Sequence, residues 1–189
     1  MKELLEYSKS VKLQADTLLQ QTQLIPLLEK FGTVTITGSY SANIMYNKDI
    51  DIYLITDKGF EIKEVLEIHN TIFRKKIVNG NILLGNNKDM TNLEQNFPSG
   101  FYIGLKFKIK QENNIEKWKI DIWCIDEIEY KKIKYKNLEK KVNEENQPLL
   151  LQIKQYVNNN GLDIPSVRIY DAVFEDNVKS IEEFKKLII

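Results

Sequence analysis

Three observations predict an α/β (α+β) fold: a mixed sheet flanked by helices, with a C-terminal helical segment. Segments alternating at period two occur near residues 33–37, 49–55, 101–110 and 116–125. Segments with helical period precede and interleave them, at 3–30 and 61–76. From Glu127 the chain is mostly helical and strongly charged. The absence of a regular strand–helix repeat argues against a doubly wound parallel sheet.

The first helix is predicted over 3–30. Leu4, Val11, Leu18 and Ile25 recur every seven positions, with Leu5, Leu19 and Leu28 beside them. Pro26 is expected to break or kink this helix and Gly32 to end it. Thr33 to Thr37 alternates polar and β-branched residues and runs into Gly38-Ser39. Residues 40–46 have room for one or two helical turns before the strand Asp49-Ile50-Asp51-Ile52-Tyr53-Leu54-Ile55. In the helix at 61–76, Ile62, Val65, Leu66, Ile68 and Ile72 are expected to face inward. Ile82-Leu83-Leu84 lies between two Asn/Gly turn signals. Phe101–Lys110 and Glu116–Ile125 read as a hairpin around Gln111-Glu112-Asn113-Asn114. Asn158 to Gly161 ends a later helix. Pro165-Ser166 opens a segment with Ile169, Tyr170, Val173 and Phe174 on one face.

Composition narrows the function. The 189 residues carry 27 Lys+Arg and 27 Asp+Glu, so the chain lacks the positive excess of a nucleic-acid-coating protein. A hydrophobic fraction of 42% supports a packed core. One cysteine, Cys124, and one histidine, His69, exclude a disulfide framework within one chain and a Cys- or His-rich metal site. Cys124 reads as a small buried hydrophobe and His69 as a surface or packing residue. The N-terminus has no apolar signal core, and no stretch approaches the ~18 apolar residues of a membrane span. A cytoplasmic protein without a membrane partner is expected.

Two strands carry acids. Asp49 and Asp51 share one face, opposite Ile50, Ile52 and Leu54. Asp121 is set likewise against Ile120, Ile122 and Cys124. Aspartate is depleted in strands, and two on one face repel. A positive group between them removes the repulsion, and Mg²⁺, which takes hard oxygen ligands and substrate phosphates, fits best. Acids on the solvent face of an edge strand are the competing reading. Gly38-Ser39 adds to the functional one, because a Gly-Ser pair after a strand lets backbone N–H groups approach a phosphate.

At these residues the sequence resembles the DNA polymerase beta-like nucleotidyltransferase superfamily, as a small single-domain member. The pattern is an apolar strand ending in Gly-Ser, a short spacer, Asp-x-Asp, and a third acid on a later strand. It is matched by Val34-Thr35-Ile36-Thr37-Gly38-Ser39, by Asp49-Ile50-Asp51-Ile52 and by Ile120-Asp121-Ile122. The resemblance implies a nucleotidyltransferase-type fold. Residues 1–126 would be its catalytic core and 127–189 a helical segment packed on it. It implies transfer of a nucleoside monophosphate from an NTP, with ATP the expected donor, to an acceptor hydroxyl, releasing pyrophosphate. Asp49, Asp51 and Asp121 would be catalytic and hold two Mg²⁺ (or Mn²⁺) ions. Gly38 and Ser39 would bind the nucleotide phosphates. The family's Arg after Gly-Ser is replaced here by the run Tyr40-Ser41-Ala42-Asn43, and its Ser before the first acid by Lys48.

Lys106 is a nucleotide-binding candidate if its strand neighbours that of Asp121; an exposed strand lysine is the alternative. Lys48 is a candidate charge partner for the acids. Tyr40 and Tyr46 are candidates for nucleotide contact, while Trp118 and Trp123 read as core or rim packing. Lys131, Lys132, Lys134 and Lys136, with Lys140 and Lys141, are a candidate RNA contact, but the surrounding glutamates favour a solvated helix face. The acceptor, whether small molecule, protein or RNA, is left open. The alternative function is a catalytically silent nucleotide-binding or toxin–antitoxin-type regulatory protein on the same fold.

Overall fold

The computed structural model describes residues 1–77, 79–87, 97–111 and 114–188. The tip of the expected hairpin loop, Glu112-Asn113, lies outside the described residues. Five strands form one sheet: β1 (Thr33–Thr37), β2 (Asp49–Thr56), β3 (Gly80–Asn86), β4 (Phe101–Gln111) and β5 (Asn114–Asp126). The order is β1-β2-β5-β4-β3. The central pair β2–β5 is parallel, and the other neighbours are antiparallel. This is the mixed sheet with flanking helices that the sequence predicts.

Alternation decides which face is buried. Ile50, Ile52, Leu54, Ile120 and Ile122 have no exposed surface, and Cys124 has almost none. Each such burial contributes roughly 1.5–3 kcal/mol. A register slip of one residue would exchange these side chains for aspartates, so the acids' positions are fixed by the core behind them. Helices α1 (Lys2–Thr22), α2 (Leu24–Leu28) and α4 (Ile62–Arg74) cover that apolar face, contributing Val11, Leu18, Leu24, Leu28, Val65, Ile68 and Ile72 to one core. One turn of helix, α3 (Gly38–Ser41), follows β1.

Three local expectations need correction. The first helix breaks at Gln23, in the left-handed conformation (φ 51°), and not at Pro26. Pro26 sits in the first turn of α2, where a missing N–H costs nothing; the ring cannot follow four residues of continuous helix, so the break moves upstream. In α4, Val65, Ile68 and Ile72 are buried, but Ile62 and Leu66 are exposed. They lie about 60–100° round the helix from Val65, beyond the stripe that meets the sheet. Gly80-Asn81 and Gly85-Asn86, read as turn signals, lie instead within edge strand β3 on either side of Ile82-Leu83-Leu84, and its largely exposed pattern hides the alternation.

After β5 come α5 (Glu127–Lys132), a short 3₁₀ turn at Leu138–Lys140, α6 (Gln147–Asn159), α7 (Ser166–Phe174) and α8 (Ile181–Leu187). Their apolar faces form a second core with Leu4, Ala42 and Ile44, so this segment packs onto the start of α1 and the loop after α3. Among the described residues, no helix is long and apolar enough to cross a membrane.

Candidate active site

The register of three strands assembles the acids. Asp51 stands beside Asp121 across the parallel β2–β5 pair, and Asp49 beside Lys119. Thr37, the last residue of β1, is opposite Asp51. The chain then turns at Gly38 (φ +66°) directly against that acid. A Cβ at Gly38 would lie 2.3 Å from Asp51 Oδ2, so both the backbone conformation and the close approach require glycine. Ser39 is buried beside it. Gly38, Ser39, Asp49, Asp51 and Asp121 therefore occupy one end of the polar sheet face.

The charges of this cluster are only partly compensated. Burial, then the charges of Asp49 and Asp121, push the Asp51 carboxyl up to about 7, against the opposing pull of Lys154 and Lys119. Asp121 is engaged at both oxygens: Tyr102 donates its hydroxyl to Oδ1 at 2.6 Å, and Lys119 Nζ lies 2.5 Å from Oδ2. Burial and this acid raise the Tyr102 phenol, keeping it a donor. Gly104, opposite Asp121 on β4, makes room for the ring; a Cβ there would sit 2.4 Å from Tyr102 Oη.

Lys154, on α6, is a buried cation that feels the charges of Asp49 and Asp51, and the sequence does not announce it. Its side chain is buried, and burial alone would pull its ammonium down. Tyr170, Asp49 and Asp51 outweigh that and hold it above the ordinary lysine range. Its Nζ lies 5.2 Å from the centre of the Tyr170 ring. A lysine buried on a helix calls for a charge partner. The signal available was Lys154 at the buried spacing of α6, between Leu150, Leu151, Ile153 and Val157. Which acids it meets depends on the second core.

Two grooves open beside the acids. The larger, about 830 Å³, runs past Asp49 between Lys48, Lys106, Lys108, Lys117 and Lys119. The smaller, about 340 Å³, is walled by Asp121, Lys119, Tyr102, Trp123 and Phe97. Lys106 lies on β4 between Asn81 and Lys119, on the rim of the larger groove.

Other candidates have different partners. Lys48 pairs with Glu116 instead of the site acids. Tyr40 donates to Asp16 Oδ1 at 2.7 Å beneath Lys12, and Tyr46 packs on Tyr7. Trp118 is in the core, and Cys124 is buried, its thiol pushed up to about 12 by burial. Lys131, Lys132, Lys134 and Lys141 pair with Glu127, Glu129, Asp171 and Glu175 on their own surface.

Among the described residues, no three His, Cys, Asp or Glu side chains are gathered as a metal cage. The donor set still fits a hard divalent cation. Mg²⁺ commonly takes only one or two carboxylates and completes its shell with water and substrate phosphate. Asp49 and Asp51, on one face of β2, supply two.

No family model matches the chain, and no curated protein does. The structure of Cid1 in complex with its short product ApU is similar over 83% of this chain and 47% of the Cid1 chain, with 13% identity and a TM-score of 0.45. The chain thus spans about half the length of that protein.

Proposed function

We propose that this chain is a divalent-metal-dependent nucleotidyltransferase, with residues 1–126 as the catalytic core and 127–189 as a helical segment that adds Lys154 to the site. The observation that carries the reading is the juxtaposition of Asp51 with Asp49, Asp121 and the Gly38-Ser39 turn.

In this reading the acceptor hydroxyl oxygen attacks the α-phosphorus of an NTP. The bond from that phosphorus to the bridging oxygen of the β-phosphate breaks, and pyrophosphate leaves. Asp121 orients the attacking hydroxyl and takes its proton, with Tyr102 fixing the carboxylate through Oδ1 and Lys119 moving off Oδ2. Gly38, Ser39 and Lys154 receive the phosphates, and Lys106 is a further nucleotide contact at the rim. Divalent ions held by Asp49, Asp51 and Asp121 would supply charge neutralisation at the phosphates and acidify the hydroxyl.

Incubation with α-labelled ATP and Mg²⁺ over a panel of acceptors tests this. Wild type is expected to label an acceptor, and Asp49→Asn and Asp121→Asn to lose labelling with an unchanged circular dichroism spectrum. Activity surviving in both variants contradicts the assignment. The Lys119–Asp121 ion pair favours a second reading, a nucleotide-binding regulatory protein without turnover. Calorimetry separates the two: metal-independent binding of a non-hydrolysable NTP, with no transfer, supports the regulator.

A further inference from the structure

We propose that the acceptor is the 3′ end of a single-stranded nucleic acid, its terminal base stacked in the Phe97–Trp123–Tyr102 groove and its phosphates laid over the lysines of β4 and β5. This inference rests on the transferase reading, and it names the substrate class of that site.

The smaller groove has Asp121 at one wall and aromatic rings at the others. Trp123 lies 5.5 Å from Phe97, nearly parallel at 26°, and 5.0 Å from Tyr102. Phe97 is 54% exposed, so this aromatic cluster opens to solvent and is no part of the hydrophobic core. Its volume of about 340 Å³ suits one planar heterocycle with its sugar. A base stacked there holds its own ribose next to Asp121, the acid assigned to the attacking hydroxyl.

Charge supplies the second, independent observation. Lys119 borders both grooves and so joins them. Beyond it, Lys106 faces Lys119 and Lys108 faces Lys117 across β4–β5, all on the polar sheet face. The pairs are about 5 Å across and about 7 Å apart along the strands. Lys106, Lys108 and Lys117 are exposed and form no ion pair with any described residue. Unpaired lysines leading from an aromatic pocket match single-stranded nucleic acid, which is bound by base stacking and backbone neutralisation. A small neutral acceptor would use the pocket but not the lysine row. A protein acceptor would need neither.

The probe is a 5′-fluorescein-labelled 12-nucleotide single-stranded RNA, with Mg²⁺ and without NTP, read by fluorescence anisotropy. Wild type is expected to bind it. Trp123→Ala should weaken binding by about tenfold and Trp123→Tyr by less than about threefold, since stacking contributes ~1–3 kcal/mol per base. Lys108→Gln with Lys117→Gln should reduce the slope of log K against log salt by about 1.4, or ~0.7 for each phosphate no longer neutralised. No binding at low salt, equal affinity in Trp123→Ala, or an unchanged salt slope would overturn the proposal. Because no NTP is present, a failure of the transferase reading would appear differently: the RNA would bind with these dependences, yet receive no label from ATP.

Discussion

Gly104 and Asp51 show how single residues tune the site. An added Cβ at Gly104 would displace the Tyr102 phenol that holds Asp121. Gly104→Ala and Tyr102→Phe are therefore expected to lower kcat by a similar factor, about tenfold for a hydrogen bond to a charged group. The double variant should be no worse than either, because both remove one interaction. Additive losses in steady-state kinetics would show that they act separately. Asp51 predicts a pH effect. Its carboxyl ionises near 3.8 when unfolded and near 7 when folded. Between those values the folded chain holds a proton that the unfolded chain has released, so stability falls as pH rises to 7 and stays low above it. The shift corresponds to about 4 kcal/mol. In EDTA, Asp51→Asn should melt higher than wild type at pH 8 and close to it at pH 4; equal melting temperatures at pH 8 contradict the burial argument. The acids were legible in the sequence because each alternates with aliphatics. Tyr102, two residues before the glycine that admits it, was not, since its role depends on pairing β4 with β5.

Elements explain where sequence reasoning succeeded and where it stopped. β2 and β5 were recognisable because one face of each is wholly apolar, and the same pattern forces them into the sheet centre. β3 was hidden, because an edge strand with a mostly exposed pattern has no alternation to read. The Gln23 break depends on a left-handed residue that glutamine does not announce. Helix α6 was expected as a helix, but the burial of Lys154 on it depends on packing against α1, α7 and α8. Lys154→Met keeps the volume and removes the charge. It should keep the fold and weaken binding of a non-hydrolysable ATP analogue by about tenfold, as removal of one charge-assisted hydrogen bond does. Unchanged affinity by calorimetry would make Lys154 a structural residue only.

Across the whole molecule, a formal net charge of zero conceals a strong separation. Acids gather at the junction of β1, β2 and β5, while Lys106, Lys108 and Lys117, which form no ion pair with a described residue, occupy the polar face of β4 and β5 beside them. In the helical segment, Lys131, Lys132, Lys134, Lys141 and Arg168 pair with neighbouring acids. Two cores share the first helix and the loop after the Gly38-Ser39 turn. The most direct measurement is labelling of a single-stranded RNA from α-labelled ATP by wild type and Asp51→Asn, each in Mg²⁺ and in EDTA. The expected result is a product extended by one or more nucleotides with wild type in Mg²⁺ and none in the other three reactions. Equal labelling by Asp51→Asn, or labelling undiminished in EDTA, would contradict a metal-dependent transfer at these acids.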